Sequence, residues 1–170
     1  MNLTQIEFYE IITSKKYIEK EIITGGFGKQ KYQIFFEDEY LNSFNLYLDI
    51  FTSGSIEIKH TINKRAKKTI PIIRLDIQGH HHSNPEFNDD FIPKELEPKI
   101  IELMKKYSNY KFTKENHLHY FIEPYRDKWA FPPTEIGLKI SKDFTENIRN
   151  FCNNFNIKAT IKKEGLFWEI

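Results

Sequence analysis

The sequence predicts an α+β fold in which a largely antiparallel sheet carries an N-terminal helix, an inserted helix and a C-terminal helix. Short runs rich in β-branched and aromatic residues follow one another with short links, which favours an antiparallel meander over alternating strands and helices. Three other segments show the apolar spacing of amphipathic helices. The 170 residues contain no internal repeat and no linker-like segment, so we expect a single domain spanning residues 1–170.

The strands are expected where apolar and polar residues alternate. The alternation is clearest in residues 44–51, which end at the compact turn Thr52-Ser53-Gly54. Runs of the same character lead us to predict further strands at 31–36, 55–62, 70–77, 117–122 and 159–163.

Capping residues and apolar spacing predict the helices. Thr4 and Glu7 form a Thr-x-x-Glu capping box ahead of an apolar stripe that continues to about Ser14. The inserted helix is expected within residues 93–107, with Pro98 in its first turn. Four residues of that segment share one helical face: Leu96, Ile100, Leu103 and Met104. The last helix is expected at 144–155, with Ser141 or Asp143 as its N-cap.

Composition excludes several classes of protein. The net charge of +1 argues against a wholly basic nucleic-acid binder. The run at 63–68 carries four basic residues, which could contact a phosphate backbone or simply form a solvated hairpin tip. We expect no membrane span and no signal peptide, because the chain lacks both an apolar run of that length and the pattern of a leader. The single cysteine, Cys152, allows no internal disulfide, which suits the cytoplasm.

Five of the six histidines lie in two short clusters, one at residues 80–82 and one at His117 and His119. Imidazole transfers protons near neutral pH and binds transition metals. If 117–122 is a strand, His117 and His119 point to the same face, about 6.5–7 Å apart along the backbone. They could then converge on one ion or one phosphate group.

Three interpretations of this pair stay open. A divalent metal would need a third ligand, which His82, His80 or a carboxylate such as Asp127 could supply. Alternatively, one imidazole is a general base and another a general acid on a phosphodiester, while Arg126 and Lys128 stabilise the developing charge. The third interpretation is a pair of half-buried histidines with a purely structural role.

Several of these segments resemble an uncharacterised family of small bacterial and phage proteins. The matching residues are Leu75-Asp76-Ile77-Gln78-Gly79, then His82, Asn84 and Pro85, then His117-Leu118-His119, and finally Asp127-Lys128-Trp129-Ala130-Phe131-Pro132. The chain departs from the family pattern at Glu86-Phe87, near Phe121, and in a long insertion at about 88–116. The resemblance brings no known activity. It implies a shared site at His82, Asn84, His117, His119, Asp127 and Lys128.

Two functions are consistent with these residues. The first is a histidine-dependent, ribonuclease-like phosphodiesterase of a toxin or phage–host conflict system. Its candidate catalytic residues are His82, His117, His119 and Lys128. Its candidate substrate-binding residues are Asn84, Arg126, Asp127 and Trp129, of which Trp129 could stack on a base or belong to the core. A divalent metal at His82, His117 and His119 is the candidate cofactor.

The second function is a non-catalytic inhibitor or antitoxin-like protein of the anti-defence type. In that case the same loop surface would dock a macromolecule. The partner would be a nucleic acid or a protein in either case.

Overall fold

The computed structural model describes residues 3–25, 28–63, 68–78 and 80–163. Lys64, Arg65 and Lys67 lie outside this description, so phosphate contact and a solvated hairpin tip both stay open for this run. No helix among the described residues is long and apolar enough to cross a membrane.

Within these ranges the structure confirms the α+β class. The α-helices are α1 (Gln5–Thr13), α2 (Pro98–Lys106) and α3 (Phe144–Asn154). The strands of the first half are β1 (Lys16–Tyr17), β2 (Ile22–Thr24), β3 (Lys29–Phe36), β4 (Leu46–Phe51), β5 (Ser55–Asn63) and β6 (Lys68–Asp76). Those of the second half are β7 (His82–Ser83), β8 (Lys111–Phe112), β9 (His117–Ile122), β10 (Arg126–Phe131), β11 (Ile157–Lys158) and β12 (Ile161–Lys163).

Eight of these strands form the main sheet, in the order β10-β9-β6-β5-β4-β3-β1-β11. From β3 to β6 each strand pairs antiparallel with the next one along the chain, and β9 and β10 extend the sheet in the same way. The predicted meander is therefore confirmed. The pairing of β1 with β11 at the edge is parallel. Two small sheets accompany the main one, β2 with β12 and β7 with β8.

The segment between β6 and β9 is an insertion between neighbouring strands, as predicted. Leu75 lies opposite Leu118 across that pair of strands. Helix α2 buries Leu103 and Met104 and exposes its lysines on the other side. The helix begins at Pro98 rather than near residue 93, because proline is favoured at the first helical position, where its missing N–H costs no hydrogen bond.

The two faces of the sheet differ in character. One face is apolar and packs against α1, whose Phe8 ring lies 4.8 Å from that of Tyr120. The other face, here called the polar face, carries two rows of residues that lie directly opposite one another on adjacent strands. One row is Asp49, Glu57, Arg74 and His119, and the other is Phe51, Ser55, Asp76 and His117. Strand alternation alone puts these side chains on one surface.

Gly54 lies in the turn after β4, and its backbone is hydrogen-bonded to the residue that follows β6. Its carbonyl accepts a hydrogen bond from the amide of Ile77 at 2.7 Å. Its φ of +105° lies in a region that L side chains rarely adopt, and a Cβ would meet the Ile77 carbonyl oxygen at 2.5 Å. The turn therefore requires glycine.

We predict that Gly54→Ala lowers the free energy of unfolding by about 2–3 kcal/mol, because the backbone strain and the clash with Ile77 add. Urea denaturation measures this loss. Ser53→Ala, one residue earlier on the exposed side of the turn, should stay within about 0.5 kcal/mol of the wild type. Equal stabilities of the two variants would contradict the stated role of Gly54.

Candidate functional site

The three histidines predicted to form one site do converge, at one end of the polar face. Ring centroids are 4.4 Å apart for His82 and His119, 5.0 Å for His117 and His119, and 5.8 Å for His82 and His117. Strand β9 presents His117 and His119 from one face, and β7 places His82 against both rings. The predicted convergence is confirmed, while the roles assigned to these residues stay predictions.

Asp76 completes the cluster. Its Oδ2 atom lies 3.5 Å from Nε2 of His117 and 3.3 Å from Nε2 of His119. One ligand atom from each of the three residues lies within 4.8 Å of the others, and all three residues are buried. They are close enough to hold a metal ion. Asp76 thus stands where a third ligand could lie, for which the sequence suggested His82, His80 or a carboxylate such as Asp127, and His82 does not belong to this triad.

Backbone carbonyls orient both triad histidines. Nδ1 of His117 lies 3.1 Å from the Glu115 carbonyl oxygen, and Nδ1 of His119 lies 2.8 Å from that of Asp127. A carbonyl only accepts, so in each ring Nδ1 carries the hydrogen and donates it. In the neutral rings the lone pair is then on Nε2, which faces Asp76. A histidine whose other nitrogen donates to a backbone carbonyl has the usual orientation of a metal ligand.

His117 is neutral at neutral pH. Burial lowers the pKa of its imidazole to about 4, against which the Glu115 hydrogen bond and the charge of Asp76 act only partly. Its Nε2 has no hydrogen-bond partner among the described residues. Leaving such a buried polar atom without a partner is costly, so this nitrogen is available to a ligand.

The carboxylate of Asp76 is held in its ionised form. Burial by itself would raise the pKa of Asp76, but contacts with His119 and Ser55 and the charge of Arg74 outweigh it and lower the pKa below its usual range. The Ser55 hydroxyl donates to Oδ1, while Oδ2 faces the histidines.

Arg74 is the cation of the cluster, and the sequence analysis missed it. Its Nε lies 3.0 Å from Oδ2 of Asp76, and one terminal nitrogen lies 2.7 Å from Nε2 of His119. The other terminal nitrogen lies 3.6 Å from Oδ2 of Asp127. The available signal was spacing, because Arg74 and Asp76 are two residues apart on one strand and therefore share a face.

A cleft of about 370 Å³ opens beside this cluster. Phe51, Ser55, Glu57, Arg74 and Asp76 line it from the sheet, and Ser53, His80 and His81 line it from the loops. His80 and His81 are exposed. The cleft gives access to Asp76 and Arg74, whereas the rings of His117 and His119 are buried.

Two predicted substrate-binding residues are core residues instead. The Trp129 side chain is fully buried and stacks on Phe131 at 6.3 Å, so it cannot stack on a base. The Asn84 side chain is buried and joins β10 to the insertion. Its Oδ1 accepts a hydrogen bond from the Ala130 amide, and its Nδ2 donates to the carbonyl oxygens of Ala130 and Tyr107. Its role is to position His82, whose Nε2 lies 3.0 Å from Oδ1 of Asn84.

The predicted cations also take other positions. Lys128 is exposed and contacts His82 through its backbone carbonyl oxygen, at 3.0 Å, not through its ammonium group. Arg126 lines a small cavity with Phe121 and Pro124. Asp127 does face the cluster, where its carboxylate pairs with Arg74. Arg74, rather than Arg126 or the Lys128 ammonium, is thus the cation that contacts the cluster.

We predict that protonation of His117 destabilises the protein in acid. The folded-state pKa of about 4 lies below the ordinary value of 6.5, so the stabilising contribution is complete above about pH 6.5 and is lost as the pH falls to about 4. Between about pH 7 and pH 4.5, with chelator present, the wild type should lose on the order of 2 kcal/mol more unfolding free energy than His117→Asn. Urea denaturation at both pH values measures the difference.

The exposed His81 provides the control for this comparison. His81→Asn should lose stability with falling pH in parallel with the wild type. An equal loss in His117→Asn and in the wild type would show that His117 is not held neutral by burial.

Comparisons with known proteins give one finding. No curated protein and no solved structure matches the chain. A family model matches residues 3–157, nearly the whole described range, and its description is a family of unknown function. The expectation of an uncharacterised family is confirmed, and the chain belongs to the family of unknown function DUF6978.

Proposed function

We propose that the protein is a divalent-metal-dependent phosphodiesterase that acts on RNA, with Asp76, His117 and His119 as the metal ligands. One observation carries the proposal: two imidazole lone pairs and one carboxylate oxygen face one another in a buried place. Three acceptors in contact repel each other unless a cation lies between them. The Arg74 guanidinium supplies positive charge next to His119. Nε2 of His117, however, has no hydrogen-bond donor among the described residues.

The distances favour a small divalent ion. In a tetrahedral site with bonds of about 2.0–2.1 Å, two ligand atoms are about 3.3–3.4 Å apart. The Nε2 atoms of His119 and His117 lie 3.3 and 3.5 Å from Oδ2 of Asp76. The three ligand atoms lie within 4.8 Å of one another, so these side chains could bind zinc or a similar ion once the two histidine rings move closer together. Two histidines and one carboxylate also leave open positions for water or substrate.

The protonation states favour a metal over metal-free acid–base catalysis. Metal ligands must be neutral imidazoles and ionised carboxylates, and the low pKa of His117 keeps its ring neutral. A general acid instead needs a pKa near the working pH. With a pKa of about 4, very little of His117 is protonated at neutral pH, so it cannot serve as that acid.

A divalent ion at this place would polarise a phosphoryl oxygen or lower the pKa of a bound water. Around it, Ser55 and Arg74 hold the Asp76 carboxylate in position. Burial raises the pKa of Glu57, which lines the cleft, although Lys59 acts against it. His80 and His81 can donate to a phosphate from the loops. Such an activity would suit a toxin or a protein of phage–host conflict.

The alternative proposal is a non-catalytic protein that docks a nucleic acid or a protein through the same loops. It is favoured by the enclosure of His117 and His119, whose side chains are only 1% and 2% exposed. A large substrate would have to approach the triad from the cleft, which Asp76 lines and the two histidines do not.

We predict that the wild type binds zinc and that Asp76→Asn, His117→Ala and His119→Ala each weaken binding by at least about 100-fold. Loss of a residue that merely orients a ligand already costs about 10–100-fold. Isothermal titration after chelator treatment measures these affinities. Asp90→Asn, which alters an exposed carboxylate far along the insertion, is the matched control and should bind like the wild type. Unchanged affinity in the three variants would rule out this metal site.

We further predict that RNA cleavage requires added zinc or manganese, and that the same three variants lose on the order of 10²–10⁴-fold in rate. Purified protein is incubated with labelled RNA, with and without chelator, between about pH 5 and 8. Cleavage that persists in chelator would favour acid–base catalysis by the histidines. Bound metal with RNA and DNA left intact would favour the docking alternative.

A further inference from the structure

A metal ion and Arg74 would compete for the same lone pair. A neutral imidazole has one lone pair, on the nitrogen that carries no hydrogen. Nδ1 of His119 donates to the Asp127 carbonyl, so the lone pair is on Nε2, and the Arg74 guanidinium lies 2.7 Å from it. Nε2 can accept from Arg74 or bind a metal, but it cannot do both. The same guanidinium also contacts Oδ2 of Asp76 at 3.0 Å.

The cleft offers a place to which the guanidinium can turn. The Arg74 side chain is 29% exposed and lines the cleft, so its outer part can rotate without moving the core. The Asp127 carboxylate, 30% exposed, already lies 3.6 Å from one of its terminal nitrogens. Arginine stays charged at any relevant pH, so a nearby divalent ion repels it toward this carboxylate.

We propose that a bound metal releases Arg74 from Asp76 and His119, and that the freed guanidinium then binds an oxyanion of the substrate in the cleft. The inference rests on the proposed metal site. A guanidinium presents two parallel donors that match the oxygens of a phosphate group. Ser53 and the exposed His80 line the same cleft and can add donors. Metal therefore binds first and creates the anion site.

The first test measures zinc affinity against a competing chelator. Arg74→Gln removes the competing cation, so we expect zinc to bind at least about tenfold more tightly than to the wild type. Asp127→Asn removes the carboxylate that receives Arg74, so we expect weaker zinc binding. In the Arg74→Gln background Asp127→Asn should have little effect, since there is no guanidinium left to receive. Arg149→Gln, on the exposed side of α3, is the matched control.

The second test uses inorganic phosphate as the probe. Phosphate should bind the zinc-loaded wild type at least about tenfold more tightly than the chelator-treated protein. Zinc-loaded Arg74→Gln should bind phosphate about 10–100-fold more weakly than the zinc-loaded wild type, the usual worth of a charge-assisted hydrogen bond. Isothermal titration measures both. Equal phosphate affinities in the two zinc-loaded proteins would overturn the anion role of Arg74.

The outcomes separate this proposal from the metal site itself. If the wild type and Arg74→Gln bind zinc equally well, the metal site stands and release of Arg74 is wrong. If neither binds zinc, the metal site is wrong and this proposal falls with it. Zinc bound by Arg74→Gln alone would show that Arg74 controls access. Should Arg74→Gln fail to fold, Arg74→Met, which also removes the charge but keeps a long side chain, is expected to bind zinc more tightly than the wild type.

Discussion

Pairing of each buried carboxylate with a nearby cation, along one strand or across to the next, is the constraint on which the rest of this structure depends. Carboxylates and cations avoid the interior of a protein unless each finds an opposite charge or a hydrogen-bond donor. The Asp49 carboxylate forms ion pairs with the ammonium groups of Lys29 at 2.9 Å and Lys59 at 3.4 Å, and Lys59 also pairs with the Glu57 carboxylate. Asp76 meets Arg74 in the same way. These contacts allow a central sheet to keep a charged face that is largely covered.

The antiparallel register of the strands brings the residues of the candidate site together. In the register of β5, β6 and β9, Ser55 lies opposite Asp76 and Asp76 lies opposite His117. The three residues come from distant parts of the chain, yet the pairing alone brings them together. The insertion then covers them, because β7 and β8 place His82 and Phe112 against the His117 ring. A change in register by one residue would move every one of these side chains to the opposite face.

Much of this could be predicted from the sequence, because the responsible signals are local. Alternation predicted the strands that carry the site, and a two-residue spacing predicted that His117 and His119 share a face. The capping box at Thr4 and the cap at Asp143 are also local, and both are confirmed. The start of β4 was placed too early, because residues 39–43 form a short 3₁₀ helix ahead of it.

The composition of the triad could not be predicted, because it depends on the register between two strands. The insertion indicated that β6 and β9 are neighbours, but nothing local showed that Asp76 would lie opposite His117. Arg74 was overlooked for the same reason, and Arg126 and Lys128 were preferred because they are closer to His119 along the chain. For Trp129 the sequence left base stacking and the core as alternatives, and its strand turns the indole into the core.

X-ray absorption spectroscopy of the zinc-loaded protein shows whether Asp76, His117 and His119 bind a divalent metal directly. We expect nitrogen and oxygen ligands at about 2.0–2.1 Å with the multiple-scattering signature of two imidazoles. In His117→Ala that signature should fall to one imidazole. A coordination shell without imidazole, or one that His117→Ala leaves unchanged, would show that these residues do not bind the metal.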